Sequence, residues 1–176
     1  MGVSIKNVVQ SEEELLNRVN ELNTGYRGWQ LTTGGLLAEE FIKGPEFTSL
    51  IVGSSDNPGE CIVYEPVERV FHESLPDNEK FLSFDRLWEI YEHETPMPNN
   101  ENFYSYIPVK EPLAAAVKAI SLQAYCAVGG KGYGRLDIRM DAETGNLYVL
   151  EVNAQCGLSE DEDYTSIGAI LRVSGK

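Results

Sequence analysis

Tyr133-Gly-Arg-Leu-Asp-Ile-Arg-Met-Asp-Ala-Glu-Thr-Gly-Asn-Leu-Tyr-Val-Leu-Glu-Val-Asn153 decides the fold. It reads as two antiparallel strands joined by a turn over residues 142–146, where Gly145 supplies the positive φ of a bulged hairpin turn. The apolar pattern sets the register. With Asp141 facing Leu147, Leu136 meets Val152, Ile138 meets Leu150 and Met140 meets Tyr148, so one face is apolar throughout. A slip of one residue sets Leu136 against Glu151. On the other face Asp137 then stands opposite Glu151, and Arg135 opposite Asn153. Two carboxylates, a carboxamide and a guanidinium converge there. Oxygen ligands at close quarters suit a hard cation such as Mg²⁺, held by a few protein groups and by substrate phosphates. The plain alternative is a solvated polar face on which Arg135 and Arg139 balance Asp137 and Glu151.

Gly-Tyr-Gly-Arg-Leu-Asp (132–137), a turn, Leu-Glu-Val-Asn (150–153) and Gly157 together resemble the C-terminal part of an ATP-grasp domain, nearest to the D-alanine–D-alanine ligases. That resemblance implies that Asp137, Glu151 and Asn153 hold Mg²⁺ (or Mn²⁺) bridging the phosphates of ATP. It implies that Arg135 is catalytic, lying against the transferring phosphoryl group or the acyl-phosphate. A second segment supports it. Leu36–Ile42 reads as a strand, Lys43-Gly44-Pro45 as a turn, and Glu46–Val52 as the returning strand. Its Glu39-Glu40-Phe41-Ile42-Lys43-Gly44-Pro45-Glu46 is similar to the family's nucleotide segment. By that similarity the backbone from Glu39 to Ile42 meets the adenine edge, with Glu40 and Phe41 inside it, and Glu46 accepts hydrogen bonds from the ribose. Replacing Glu46 by alanine is then expected to spare the fold. The plain alternative is a hairpin whose acids face water.

Elsewhere the chain departs from the pattern. Relatives keep a lysine in a Tyr/Phe-x-x-Lys-Tyr sequence; here Leu87 stands at that place, with Arg86 one residue earlier. Arg86 substitutes only if a bulge reorients it. Cys156 stands where the ligases have proline and reads as a buried or simply inert cysteine, nothing nearby being cationic enough to make a thiolate. Glu160–Asp163 is an acidic insertion ahead of Tyr164-Thr165-Ser166, where the ligases bind their second amino acid, so the acceptor site is expected to be remodelled. Gly2-Val3-Ser4 resembles the tail of the family's phosphate loop.

Ser11 and Glu14 form a capping box before an apolar stripe of Leu15, Leu16, Val19 and Leu22, which predicts a packing helix over 12–21. A run from Glu60 to Arg69 alternates and contains Pro66, which suggests an edge or a strand end. Residues 94–112 carry four of the eight prolines, hence a loop with extended pieces. Helices follow over 113–128 and 167–173. The glycines at 129–134 leave a helix and enter a strand, the reverse of a phosphate loop, so they read as a cap and turn with Lys131 on the surface.

Composition bounds the rest. The 176 residues suit one domain with a real core, and 42% hydrophobic content argues against disorder. A net charge of −14 argues against a nucleic-acid partner. No apolar run reaches the roughly 18 residues of a membrane span. Three dispersed cysteines fit a reducing cytosol, hence a cytoplasmic chain, and neither a disulfide framework nor a zinc site. The expected fold is α+β, an antiparallel sheet with helices on one side, the C-terminal two-thirds of an ATP-grasp fold.

The domain is expected to be one ATP-grasp fragment over 1–176, lacking an N-terminal substrate domain and the first part of the ATP-grasp domain. The implied activity is an ATP-dependent carboxylate–amine ligase, acting on an amino-acid or peptide-like carboxylate and silent as the isolated chain. A homodimer of the full-length protein is compatible with the resemblance. The rival reading is a non-catalytic nucleotide- or divalent-cation-binding module.

Overall fold

The computed structural model describes residues 3–25, 32–87, 94–158 and 165–176. In chain order the regular elements are α1 (Glu12–Thr24), β1 (Glu46–Ser54), β2 (Ile62–Val63), β3 (Val67–Phe71), α2 (Phe84–Leu87), β4 (Tyr104–Pro108), α3 (Leu113–Ala127), β5 (Lys131–Met140), β6 (Leu147–Asn153) and α4 (Ser166–Val173). They fall into two compact units, 1–41 with 73–100, and 42–72 with 101–176.

The second unit is built on one antiparallel sheet of order β4-β3-β1-β5-β6, with β2 also paired to β1. β1 sits at its centre because its side chains after Glu46 are apolar or small on both faces, the composition of a strand covered twice. Phe47, Ile51, Leu136 and Ile138 point to one face and bury against Val117 and Tyr125 of α3. Each such side chain contributes about 1.5–3 kcal/mol on full burial. Leu50 and Val67 point to the other face and pack on Ile167, Ala169 and Ile170 of α4, with Cys156. The α+β class and the antiparallel sheet are as expected, but helices cover both faces rather than one. The alternation along β1 forces this, since Leu50 and Ile51 cannot share a face.

The β5–β6 hairpin keeps half of its expected register. Arg135 pairs with Asn153, Leu136 with Val152 and Asp137 with Glu151. Beyond Asp137 a bulge shifts the ladder, so Ile138 pairs with Val149, Arg139 with Tyr148 and Met140 with Leu147, not with Leu150 and Tyr148 as the alternation suggested. The turn is the cause. Asp141 N–H donates to the Asn146 carbonyl, which starts β6 one residue earlier and leaves the extra residue to be absorbed at Leu150. Leu150 and Tyr148 are accordingly exposed, and Leu147 and Val149 join the core. Gly145 has φ 73°, as the turn requires.

The Asp141 carboxylate accepts from the backbone N–H groups of Thr144 and Glu143, which hold its pKa below the ordinary value. A carboxylate depressed in the folded state stabilises fully above its unfolded pKa, and that stabilisation is lost as pH falls through the folded one. The hairpin turn is therefore expected to loosen only in strong acid. A carboxyl NMR titration in which Asp141 titrates at or above an ordinary aspartate would contradict this.

A larger correction concerns residues 36–45. Leu36–Ile42 forms no strand, and Leu37 is 83% exposed. Lys43-Gly44-Pro45 does not turn either. The Met140 and Ala142 N–H groups donate to the Pro45 and Lys43 carbonyls, which continues the β1–β5 register. Proline has no N–H to give, but its carbonyl is sufficient here. Gly44 has φ +147°, and a Cβ there would stand 2.1 Å from the Met140 carbonyl oxygen, so the glycine serves close approach rather than a turn.

β4 is one of the extended pieces expected within the proline-rich stretch 94–112. It lies at the sheet edge, where a proline can be tolerated. Pro66 ends a strand as expected, between β2 and β3. In the first unit α1 is capped as predicted, Ser11 Oγ accepting from Glu14 N–H at 3.2 Å. Its stripe is not a core face. α1 buries no residue, and Leu15 and Leu16 stay 39% and 56% exposed. Arg18 instead ties it down, donating through Nε and Nη2 to Asn7 Oδ1 at 2.9 and 2.7 Å. The acidic insertion at Glu160–Asp163 lies outside the described residues, as do Gly2 and Tyr164. No described helix is long and apolar enough to cross a membrane.

Candidate functional site

Adjacent antiparallel strands place directly paired residues on one face, so β5 and β6 bring together the four residues singled out in the sequence. Asp137 lies opposite Glu151, and Arg135 opposite Asn153. Arg135 Nη2 meets Asp137 Oδ2 at 2.7 Å, and Thr48 Oγ1, from the paired position on β1, donates to Asp137 Oδ1 at 3.1 Å. Burial works against the Arg135 charge, but Asp137, by charge and hydrogen bond, and then Glu151 outweigh it, so its pKa is raised. Its Nε is buried and has no hydrogen-bond partner among the described residues. Asn153 Oδ1 accepts from Gln155 N–H at 3.0 Å, which fixes its carboxamide. Glu151 is exposed. Thr48 had no signal in the sequence, because only the β1–β5 register reveals it.

These donors fit a hard divalent cation. Among the described residues no three of His, Cys, Asp and Glu form a metal cage, and the set is two carboxylates and a carboxamide. Mg²⁺ is commonly held by one or two carboxylates and completed by water and phosphate. Like charges directly opposite each other across a sheet also destabilise it unless countered, and Arg135 is bonded to Asp137 alone of the two acids.

Glu46 opens β1 and does not face water, as the plain hairpin alternative would have it. It is 4% exposed, and Arg69 and Arg139, each its direct cross-strand neighbour, are also 4% exposed. Arg69 Nη1 donates to its Oε1 and Arg139 Nη2 to its Oε2. Arg69 is further held by the Tyr106 hydroxyl at 3.3 Å, and its guanidinium lies 5.4 and 5.6 Å from the Tyr104 and Tyr106 ring centres. Burial, and then the Arg69 charge, pull the Arg139 pKa down to about 10. Arg139 therefore serves Glu46 and not the acidic pair, whereas Arg135 does offset Asp137. Arg139 Nη1 also donates to the Ile42 carbonyl at 3.3 Å, at the end of the Glu39–Ile42 segment. Glu39 and Glu40 are exposed and Phe41 is half-buried, its ring edge-on to Phe81 at 6.0 Å. The boundary between the two units falls between Phe41 and Ile42.

Arg86 is not free to stand in for a lysine. It is 5% exposed in α2, with Nε 2.7 Å from Glu94 and Nη2 3.0 Å from the Thr95 carbonyl and 3.3 Å from Glu79. Leu87 closes the same short helix. Cys156 is buried, as expected, and burial pushes its thiol pKa up. A cation does lie near it, against expectation, because Arg135 pulls the thiol the other way and is outweighed by burial. Lys131 lies on the surface, paired with Asp56 at 2.8 Å.

A family model described as "D-ala D-ala ligase C-terminus" matches residues 2–169. A D-alanine–D-alanine ligase of Psychrobacter sp. is 27% identical over 160 residues, covering 88% of this chain and 42% of the relative. One from Desulfotalea psychrophila is 27% identical, covering 91% of this chain and again 42% of the relative. The chain thus spans about two-fifths of the length of these curated relatives. Among solved structures, D-alanine–D-alanine ligase from Bacillus anthracis complexed with ATP is similar, with TM-score 0.59 at 18% identity over 95% of this chain and 43% of that one. An L-amino acid ligase from Bacillus licheniformis has TM-score 0.55 at 22% identity, over 96% of this chain and 36% of that one. At such identities the structures show the fold alone, and the fold is a partial ATP-grasp fold.

Proposed function

We propose, for a chain that belongs to the family described as D-ala D-ala ligase C-terminus, that the part of its sheet where β5 and β6 present Asp137 and Glu151 binds ATP with Mg²⁺ as part of a carboxylate–amine ligase. The observation that carries this is the opposition of Asp137 and Glu151, with Arg135 opposite Asn153, on the face of β5 and β6. Asp137, Glu151 and Asn153 are the candidate cation ligands; Mg²⁺ or Mn²⁺, when bound, would neutralise phosphate charge. Arg135, held by Asp137, is assigned to the transferring phosphoryl group. Glu39, Glu40, Phe41 and Ile42 are assigned to the adenine end and Glu46 to the ribose. A carboxylate offers about four lone-pair sites, so the two arginines on Glu46 leave acceptor capacity.

In a ligase of this kind a substrate carboxylate oxygen attacks the γ-phosphorus of ATP. The bond to the β-phosphate oxygen breaks, and acyl-phosphate and ADP result. An amine then attacks the acyl carbon, phosphate leaves, and the nitrogen loses a proton. What this chain contributes is position and charge. The amino-acid or peptide-like substrate and a cytoplasmic setting belong to the same proposal.

Calorimetry tests it. Mg²⁺ should bind weakly alone and better with nucleotide. Glu151→Gln, at an exposed position, should weaken Mg-nucleotide binding about ten-fold or more, the usual scale for disturbing a metal's ligand shell. Equal affinity in the variant would remove the metal role. A second reading, a non-catalytic binding module, is favoured by one observation: the cation nearest the absent lysine, Arg86, is locked into Glu79 and Glu94. Binding without turnover in any longer form of the protein would select it.

A further inference from the structure

We infer that Tyr133, Val52 and Ile62 form the floor on which the substrate's own side chain lies, and that the accepted carboxylate therefore carries an apolar side chain. This rests on the nucleotide site just proposed and extends it to the substrate. Val52 of β1 pairs directly with Tyr133 of β5 on one side and with Ile62 of β2 on the other. The three thus share one face, and they are 38%, 36% and 56% exposed. Directly paired exposed apolar residues from three adjacent strands make a continuous strip. It begins where the cover of α4 ends, since Leu50, two residues before Val52 on the same face, is packed under that helix.

The strip's position assigns its occupant. Along β5 the same face carries Arg139, Asp137, Arg135 and Tyr133 in steps of about 6.5 Å. Glu46, beside Arg139, marks the ribose end, Asp137 the cation and phosphates, and Arg135 the transferring group. In phosphoryl transfer the attacking and leaving oxygens are roughly in line across phosphorus. The leaving oxygen points back toward Asp137 and the ribose end. The attacking carboxylate must then come from beyond Arg135, which is the side where Tyr133 and Val52 stand. Its carboxyl end faces Arg135, and the rest of the molecule lies over the strip. A charged or strongly polar side chain would be desolvated there without a partner, whereas each buried methylene gains roughly four-fold in affinity.

The test uses the 176-residue chain saturated with Mg²⁺ and a β,γ-imido analogue of ATP, titrated with N-acetylglycine and with N-acetylleucine and followed by NMR. The leucine derivative should bind about ten-fold or more tightly. The double variant Val52→Thr with Ile62→Thr keeps β-branched residues at exposed strand positions. It should bring the two probes within about two-fold while leaving nucleotide affinity unchanged. Undiminished preference in that variant, or nucleotide bound with no preference in the parent chain, would overturn the strip as a substrate floor and leave the nucleotide site standing. Failure to bind nucleotide at all would overturn both. Concentration-dependent dimerisation that the double variant abolishes would assign the strip to a second copy of this chain instead.

Discussion

Replacing Glu46 by alanine is expected to destabilise the protein by about 3–5 kcal/mol, the usual cost of removing one partner from a buried ion pair. From sequence alone the same change looked harmless. The difference lies in the two guanidiniums. Arg69 and Arg139 are each 4% exposed and share one carboxylate, so alanine leaves two buried cations facing each other. Arg139 already has its pKa pulled down to about 10 by burial and by Arg69, and alanine removes the carboxylate that both guanidiniums share. Glu46→Gln should cost less, because an amide keeps one acceptor for one guanidinium. Chemical denaturation reads both. An alanine variant within 1 kcal/mol of the parent, a margin typical of exposed ion pairs, would mean that the cluster opens to water in solution.

Incubated with ATP, Mg²⁺ and an amino acid, residues 1–176 on their own are expected to release no phosphate above background. The cations tell why. On the sheet face that carries Asp137, Arg69 and Arg139 belong to Glu46, and Arg135 to Asp137, so little positive charge is left to neutralise a triphosphate. The chain as a whole carries 14 Lys and Arg against 28 Asp and Glu. Each preorganised donor absent from a transition state typically costs about 10²–10³-fold in rate. The curated ligases it resembles are more than twice as long, since the match covers 42% of the Psychrobacter relative. Phosphate release from the 176 residues, dependent on both ATP and an amino acid, would contradict this expectation.

The polar end of the hairpin was legible because Arg135, Asp137, Glu151 and Asn153 alternate with apolar residues, and a period of two leaves one choice of face. The bulge was not legible. Leu147-Tyr148-Val149-Leu150 is apolar throughout, so a one-residue shift changes no contrast between the faces, and the turn hydrogen bond at Asn146 made the choice. Residues 43–45 misled for a different reason. Lys-Gly-Pro is ordinary turn chemistry, and only the carbonyls accepting from β5 show that the ladder continues through it. The Glu46 cluster had no local signal at all, its partners lying 23 and 93 residues away in the chain. A helix stripe such as that of α1 records amphipathicity and not what covers it; Leu16 is 56% exposed.

Mn²⁺ in place of Mg²⁺ tests the central claim most directly. A paramagnetic ion broadens the NMR signals of the residues nearest it, so its position is read without any need for turnover. With a non-hydrolysable ATP analogue present and Mn²⁺ well below the protein concentration, the signals of Asp137, Glu151 and Asn153 should broaden first, followed by those of Arg135 and Thr48. Asp137 and Asn153 should stay sharp in Glu151→Gln at that Mn²⁺ level. Broadening that begins instead at the acidic first turn of α1, Glu12–Glu14, or at Glu160–Asp163, with the β5–β6 face unaffected, would contradict the assignment of the cation and nucleotide to this sheet.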